Sequence, residues 1–168
     1  NDSWHISVMS YFDQVQNTYV SGDRAYAISP MMADILAIRD LYGSMGSLRA
    51  SDTTYGENAN TSGYLDQIVG LQDAVTYTIV DDGGIDTLNF ASSISNNFID
   101  VRGGSRSNVN GVDGALAIYT TSIIENVVLG SGNDTVTGNS AANRITLGSG
   151  LNSANGAGGI DTAVFSGL

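Results

Sequence analysis

A run of nine-residue units near the end of the sequence constrains the fold more than any other feature. Cut at that period, residues 129–164 read LGSGNDTVT, GNSAANRIT, LGSGLNSAN and GAGGIDTAV. Glycine recurs early in most units, an acid or amide stands sixth, and a small or branched apolar residue stands eighth. A repeat of this length predicts modules that become stable by stacking on their neighbours.

The repeat predicts a mainly β fold, a parallel β-roll. Six residues of each unit form a glycine-rich turn, and the last three form a short strand whose middle side chain points inward. The sixth positions are Asp134, Asn143, Asn152 and Asp161, and the eighth are Val136, Ile145, Ala154 and Ala163. Hard cations take oxygen ligands, so carbonyl-rich turns with one acid or amide predict calcium between successive turns. The alternative is a disordered Gly/Ser/Asn-rich tail. The restriction of apolar residues to the eighth position and of acids or amides to the sixth disfavours it.

Composition narrows the class of protein. The chain has 17 acidic and 6 basic residues and a formal charge of −11, which argues against binding to nucleic acid or anionic membranes. It has no cysteine, so a disulfide framework is excluded and bound calcium is a candidate staple. No apolar stretch is long enough to predict a membrane-spanning helix.

Upstream of the repeats we predict one helix and several short strands. Ser29 is the expected N-cap, Pro30 the first helical residue and Gly43 the stop signal. We interpret the helical stripe as core packing; its members are Met31, Ile35, Ile38, Leu41 and Tyr42. Runs of β-branched and aromatic residues, or alternating ones, predict strands over 75–80, 87–90, 98–101, 115–119 and 123–129.

The repeats resemble RTX, or haemolysin-type, calcium-binding repeats, and other segments resemble serralysin-type metzincin zinc proteases (peptidase M10B). Residues 6–12 (ISVMSYF) resemble the Met-turn, and residues 30–43 resemble the last helix of the catalytic domain. Three further segments resemble family motifs that follow in the same order: 49–56 (RASDTTYG), 81–87 (DDGGIDT) and 124–126 (IEN). The resemblance implies residues 1–43 as a remnant of the catalytic domain and residues 44–168 as the calcium-binding roll.

The resemblance implies that the parent protein is a bacterial endopeptidase, secreted to the extracellular space by type I secretion. Such enzymes hold zinc through H-E-x-x-H-x-x-G-x-x-H, whereas this chain has one histidine, His5. We therefore expect zinc only in the complete parent, and this chain alone to be inactive. The expected partners are a missing N-terminal catalytic segment and, for the parent, a protein or peptide substrate. We expect truncation at both ends; proteolytic nicking, a partial chain and a natural remnant remain open explanations.

The same resemblance assigns roles to two residues near the start. Met9 would form the apolar floor beneath zinc, and Tyr11 would be a switchable zinc ligand that stabilises the transition state. In this chain alone, without zinc, we interpret both as packing residues. His5 matches no family ligand and is interpreted as a surface or packing histidine.

The resemblance also implies four calcium sites. Two lie upstream of the repeats: Arg49, Ser51, Thr53, Asp81, Gly83 and Asp86; then Gly84, Asp86, Ile123 and Glu125. Two lie in the roll: Gly130, Gly132, Asp134, Leu147, Ser149 and Asn152; then Asn139, Ala141, Asn143, Gly156, Gly158 and Asp161. For Asp81 and Asp86 the alternative is an Asx-turn or strand-end cap. Each roll pair has a single carboxylate, so we expect weaker calcium binding there.

Three functions compete at this point. The chain is part of a secreted zinc endopeptidase, or a calcium-binding structural and secretion module without catalysis, or an RTX adhesin. The Met-turn resemblance disfavours the adhesin. The sequence immediately upstream of Asn1 in the source gene would separate the first two.

Overall fold

Two facing β-sheets form the body of the protein. The computed structural model describes residues 2–43 and 46–165. The helices are α1 (Met32–Tyr42) and a 3₁₀ helix (Tyr64–Gly70). The strands are β1 (Tyr26–Ala27), β2 (Thr54–Gly56), β3 (Val75–Ile79), β4 (Thr87–Phe90), β5 (Phe98–Asp100), β6 (Arg106–Val109), β7 (Val112–Ile118), β8 (Asn126–Leu129), β9 (Thr135–Thr137), β10 (Arg144–Leu147), β11 (Ser153–Asn155) and β12 (Thr162–Phe165).

The strands alternate between the two sheets as the chain winds, except that β5, β6 and β7 follow one another in the same sheet. Within the described ranges, one sheet has the order β1-β3-β7-β6-β5-β9-β11 and the other β12-β10-β8-β4-β2. All pairings are parallel except those of β6 with β5 and with β7. The mainly β, roll-like fold expected from the repeats is therefore present.

The register shows how the repeats wind. Arg144 lies opposite Asn126 on one side and opposite Thr162 on the other. In the facing sheet, Thr135 lies opposite Ser153. The chain thus returns to the same strand position after two nine-residue units, one per sheet. The short strands predicted at the end of each unit are confirmed.

The core lies between the two sheets, and the repeats contribute to it unequally. Val136 and Ile145 are buried, as predicted, but Ala154 and Ala163 are exposed. The prediction that all four eighth-position side chains point into a core is wrong for the last two, because no further coil of the described chain stacks on β11 or β12. The shared core includes Leu88, Ile99, Leu116, Ile118, Ile124, Val127 and Leu147.

Helix α1 begins two residues later than expected. Its N-cap is Met31, whose backbone N–H donates to Asp34 Oδ2 at 2.8 Å. Ser29 is not the cap; its hydroxyl donates to the Pro30 carbonyl and accepts from Thr78 N–H. The backbone is still extended at Met31, with φ −91° and ψ 175°, and the Asp34 carboxylate caps its N–H, so the first helical residue is Met32. Gly43 ends the helix as predicted, with φ 75°.

The apolar stripe of α1 is largely uncovered. Met31 is buried, yet Ile38, Leu41 and Tyr42 are exposed, and no residue of the helix is fully buried. The core-packing interpretation is therefore wrong for most of the stripe. Asp34 instead ties the helix to the start of the chain, because its carboxylate accepts from Ser7 Oγ and Val8 N–H.

His5 anchors the start of the chain to the roll. It is buried, and a methyl group on Gly22 or Gly114 would overlap or crowd its ring. Of the two interpretations offered for His5, packing is confirmed. No helix among the described residues is long and apolar enough to cross a membrane.

Candidate functional site

The turns that lead into the strands stack in two columns. The first column leads into β2, β4, β8, β10 and β12, and the second leads into β5, β9 and β11. The residue just before each strand corresponds to the sixth position of a repeat. These residues are Thr53, Asp86, Glu125, Asn143 and Asp161 in the first column, and Asn97, Asp134 and Asn152 in the second.

Sixth-position side chains link each turn to the turn before it. In the first column, Asp86 Oδ1 accepts from Thr53 N–H at 2.7 Å, and Glu125 Oε2 accepts from Asp86 N–H at 2.8 Å. In the second column, Asp134 Oδ1 accepts from Asn97 N–H at 2.8 Å, and Asn152 Oδ1 accepts from Asp134 N–H at 2.8 Å. Each acid or amide therefore lies in the layer between two turns.

The first predicted calcium set comes together where residues 49–53 meet residues 81–86. A methyl group on Gly84 would overlap the Ser51 backbone, so the turns touch directly. Asp81 accepts from Tyr55 Oη at 2.6 Å and from Gly83 N–H at 3.0 Å. The contact with Gly83 N–H is the Asx-turn that was the alternative interpretation of Asp81. Both carboxylate oxygens of Asp81 therefore have hydrogen-bond partners.

The remaining members of the two upstream sets are placed as follows. Thr53 Oγ1 donates to the Ser51 carbonyl at 2.8 Å, and Arg49, at φ 53°, turns the chain while its guanidinium donates to the Val80 carbonyl. Glu125 joins the second set through the backbone of Asp86. The Ile123 side chain is half exposed, so any ligand from it would be its carbonyl.

The surroundings of Asp86 disfavour the ionised form of its carboxyl group. Burial raises its pKa to about 7, the charges of Asp81 and Glu125 add to the increase, and the Thr53 N–H opposes it. Its Oδ2 is buried with no hydrogen-bond partner in the described structure. A nearby cation would favour the ionised carboxylate and satisfy that oxygen.

The second column brings together the third predicted set. A methyl group on Gly148 or Gly150 would overlap the carbonyl of Gly130 or Gly132, respectively. These turns therefore need glycine to stack. Asp134 is 1% exposed, and its Oδ2 also has no partner among the described residues.

Two more members of this set have other roles. Asn152 donates through Nδ2 to the Gly148 carbonyl at 3.1 Å and to the Ser149 carbonyl at 3.4 Å. Leu147 lies in β10 with its side chain in the core.

The fourth set stacks the turns of residues 138–143 and 156–161. Gly158 N–H donates to the Asn139 carbonyl at 2.9 Å, and a methyl group on Gly159 would overlap the Ala141 carbonyl. Asp161 Oδ1 accepts from Asn143 N–H, and Oδ2 lies against Gly156.

Two amides of this set point towards the preceding turn. Asn139 Nδ2 donates to the Ile124 carbonyl at 2.7 Å, and Asn143 Nδ2 donates to the carbonyls of Ile124 and Glu125 at 3.1 Å. Their NH₂ groups are therefore already satisfied by carbonyl oxygens.

The turn of residues 92–97 was not anticipated as part of this system. Phe98 lies opposite Thr135 and Ile99 opposite Val136, so the turn stands directly before that of residues 129–134 in the second column. It has serine where a repeat has glycine, which hid it. The signal that remained was Asn97 at the sixth position and Ile99 at the eighth.

Carboxylates alone do not form a metal centre here. Across residues 2–43 and 46–165, no group of three or more His, Cys, Asp or Glu side chains could hold an ion. Any cation would need backbone carbonyl oxygens for most of its ligands, which is normal for calcium.

Met9 and Tyr11 lie on the surface. Their side chains are 80% and 96% exposed, so the packing interpretation of both is wrong. Local hydrogen bonds fix the backbone around them: Ser7 Oγ accepts from Met9 N–H, and Ser10 Oγ accepts from Phe12 N–H. The resulting bend presents both side chains outward.

Comparison with known proteins decides the family. The peptidase M10 serralysin C-terminal family matches residues 45–168. This chain belongs to that family. Curated serralysin relatives agree. A metallopeptidase AprA from Pseudomonas marginalis is 40% identical over 147 residues, covering 86% of this chain and 31% of the relative.

Two further relatives are similar to this chain. Serralysin B from Dickeya chrysanthemi is 38% identical over 133 residues, covering 79% of this chain and 27% of the relative. A serralysin from Photorhabdus luminescens is 37% identical over 144 residues, covering 86% of this chain and 29% of the relative. The chain thus spans about a third of the length of the curated relatives it matches.

Proposed function

We propose that this serralysin C-terminal chain is the calcium-binding roll of a secreted zinc endopeptidase. In this proposal calcium ions occupy the four predicted sites, two upstream and two in the roll, and residues 1–43 complete a catalytic domain whose zinc-binding histidines lie outside the chain. The division into residues 1–43 and 44–168 remains part of the proposal.

The buried, unpartnered carboxylate oxygens of Asp86 and Asp134 support this proposal most strongly. Burying an acceptor without a partner costs free energy, and a charged one costs more. Both oxygens lie at sixth positions, between turns whose backbones are in contact. A calcium ion at the first upstream site and one between the turns of residues 129–134 and 147–152 would supply the missing partners and replace hydrogen bonds by metal–oxygen contacts.

The residues that would hold calcium are mostly carbonyl donors. Upstream, the proposed ligands are Arg49, Ser51, Thr53, Asp81, Gly83, Gly84, Asp86, Ile123 and Glu125. In the roll they are Gly130, Gly132, Asp134, Leu147, Ser149, Asn152, Asn139, Ala141, Asn143, Gly156, Gly158 and Asp161. Calcium supplies structural cross-links there and no catalytic chemistry.

Ligand charge predicts an order of affinity. The upstream layers contain three carboxylates, Asp81, Asp86 and Glu125, whereas each roll pair contains one. Fewer charged ligands mean weaker calcium binding. The roll sites should therefore fill at extracellular calcium and empty at cytosolic calcium, so that the roll folds after export by type I secretion.

A calorimetric titration of the full chain with calcium tests the proposal. Wild type should bind several calcium ions between micromolar and millimolar concentration, and magnesium should not replace them. Asp86→Asn should weaken the upstream sites about tenfold or more, because it removes one charged ligand. Asp73→Asn, which removes the same charge from an exposed position, should titrate like wild type.

A flat titration up to millimolar calcium would refute calcium binding by this chain. Equal effects of Asp86→Asn and Asp73→Asn would show that binding reflects net charge and not the proposed layer.

Exposed apolar side chains among residues 8–42 support the catalytic part of the proposal. They include Met9, Tyr11, Phe12, Leu41 and Tyr42, and many exposed apolar side chains in one segment favour a surface that another segment covers. The relatives matched are about three times longer and are named as metalloproteases or serralysins. We infer that the covering segment carries the zinc-binding histidines and that the parent cleaves protein or peptide substrates.

Casein hydrolysis tests this part. The chain alone, with zinc added, should show no activity, because it has one histidine. Zinc-dependent hydrolysis by the purified chain would contradict the proposal. A non-catalytic calcium and secretion module is the second candidate, and a source gene without H-E-x-x-H-x-x-G-x-x-H upstream would favour it.

A further inference from the structure

The turn of residues 92–97 makes the same stacking contact as the glycine-rich turns, without their glycines. A methyl group on Gly130 would overlap the Ser93 carbonyl, and one on Gly132 would overlap the Ser95 carbonyl. Asn97 N–H donates to Asp134 Oδ1, which is the link seen between other successive turns. The layer between these two turns is therefore closed and well packed.

The side chain of Asn97 lies at the centre of this layer. Its Nδ2 donates to Asp134 Oδ1 at 2.9 Å, to the Ser95 carbonyl at 3.1 Å and to Ser93 Oγ at 3.3 Å. Its Oδ1 accepts from Asn110 N–H at 2.9 Å. Because an amide oxygen could not face the carboxylate and carbonyl, these contacts fix which way the amide points.

The oxygens around this NH₂ group are a carboxylate, a carbonyl and a hydroxyl, which are the ligand types that calcium takes. Asn97 is 3% exposed, and Ser93 and Asp134 are also buried. We propose that the Asn97 amide occupies the place of a calcium ion between the turns of residues 92–97 and 129–134. This layer closes without metal. The inference rests on the proposed calcium-binding function of the neighbouring layers.

A metal-free layer has a consequence for assembly. The strands that follow these two turns, β5 and β9, can pair before calcium binds. β9 then offers a formed edge to β11, whose turn belongs to a proposed calcium layer. Asn97 would therefore give the roll a calcium-independent starting surface on which the calcium-dependent units stack.

Asn97→Asp is the direct test, because it replaces the NH₂ group by an oxygen of similar size. The new carboxylate would face Asp134 and the Ser95 carbonyl, which repel it unless a cation lies between them. We expect the variant to bind one more calcium ion per chain than wild type in calorimetry. Its midpoint of thermal unfolding should fall by several degrees in EDTA and recover in calcium.

Asn96→Asp is the matched control. Asn96 is exposed on the same turn, and its Oδ1 accepts from Asn133 N–H at 2.8 Å, a bond that a carboxylate keeps. This variant adds the same charge at the exposed edge of the two turns, away from the buried position of the Asn97 amide. It should match wild type in calcium stoichiometry and in the calcium dependence of unfolding.

Two results would overturn the inference. One is an Asn97→Asp protein with unchanged calcium stoichiometry and unfolding that calcium does not affect. The other is an Asn97→Ala protein that binds fewer calcium ions than wild type, since Asn97 would then be a ligand. If Asn97→Asp does not fold, Asn97→Ala decides, and the inference requires lower stability in EDTA with unchanged stoichiometry. A wild type that binds no calcium would instead refute the proposed function.

Discussion

At the sixth positions of the turns, acid and amide side chains differ in whether their second polar atom has a hydrogen-bond partner. Asp86 and Asp134 each give one oxygen to a preceding turn and bury the other without a partner. Asn97, Asn143 and Asn152 use their second atom, an NH₂ group, to donate to nearby carbonyls. Since the amides are satisfied by the protein alone and the buried acids are not, the acids are where a cation has most to contribute.

His5 makes the start of the chain sensitive to acid. Burial lowers its pKa, Arg106 lowers it further, and Asp113 opposes in part. A folded-state pKa below the unfolded value of about 6.5 means that the stabilising effect is complete above that pH and is lost as pH falls. Wild type should therefore lose stability from pH 7 to pH 5.

The check is thermal unfolding across that range in excess calcium, with His5→Leu for comparison. The leucine variant removes the titrating ring but keeps an apolar side chain between Gly22 and Gly114. It should lose less stability than wild type on acidification. Parallel pH curves for the two proteins would show that His5 does not carry the effect.

At the scale of elements, the sequence predicted the strands of the nine-residue repeats and the strands in which polar and apolar residues alternate. The strands β9 to β12 follow from the nine-residue period. The strand β4 was predicted to the residue because polar and apolar residues alternate in TLNF, and its two apolar residues are buried. The strand β6 was missed because RSNV has little β signal, and β7 pairs with it as an antiparallel hairpin. Propensity reports local preference, whereas this hairpin is set by its place in the sheet.

The candidate site was predictable only in part for a similar reason. The glycine pattern located the turns, but it could not show whether the oxygen or the NH₂ group of each asparagine faces the layer between two turns. Asn143 and Asn152 turn their NH₂ groups to carbonyls, and Asn97 stands in a turn with no glycine signal at all. These outcomes depend on which turn stacks on which.

Helix α1 is fastened to the first column by one ion pair. Arg39 Nη2 lies 3.1 Å from Asp82 Oδ1, and its guanidinium stacks 4.6 Å from the Tyr119 ring centroid. Asp82 also accepts from Leu48 N–H and stands within the proposed calcium turn. The turns of the proposed upstream calcium layer and the helix are therefore connected through adjacent residues.

Arg39→Met should loosen α1 without unfolding the roll. Loss of the partly buried pair and the ring contact should cost about 1–2 kcal/mol, seen as faster hydrogen exchange across residues 32–42. Arg24→Met is the control, because Arg24 makes only an exposed 3.6 Å ion pair with Asp13. Equal exchange in both variants would mean that α1 is held by other contacts.

In the molecule as a whole, the net negative charge and the buried carboxylates both favour the binding of cations. The chain carries a formal charge of −11 and buries two carboxylates whose second oxygens are unsatisfied. Both features destabilise the fold, and bound cations would relieve them. The family match, the stacked turns and the winding of two units per coil are all consistent with a serralysin roll whose folding is coupled to calcium.

Thermal unfolding of the full chain, followed by far-ultraviolet circular dichroism in EDTA and in millimolar calcium, tests this account most directly. Ligand at a hundred times its Kd adds about 2.7 kcal/mol per site, so several sites should raise the unfolding midpoint by about 10 °C or more. We predict a weak strand signal and a low midpoint in EDTA, and a cooperative transition at higher temperature in calcium. The same strand signal and the same midpoint in both conditions would contradict the account.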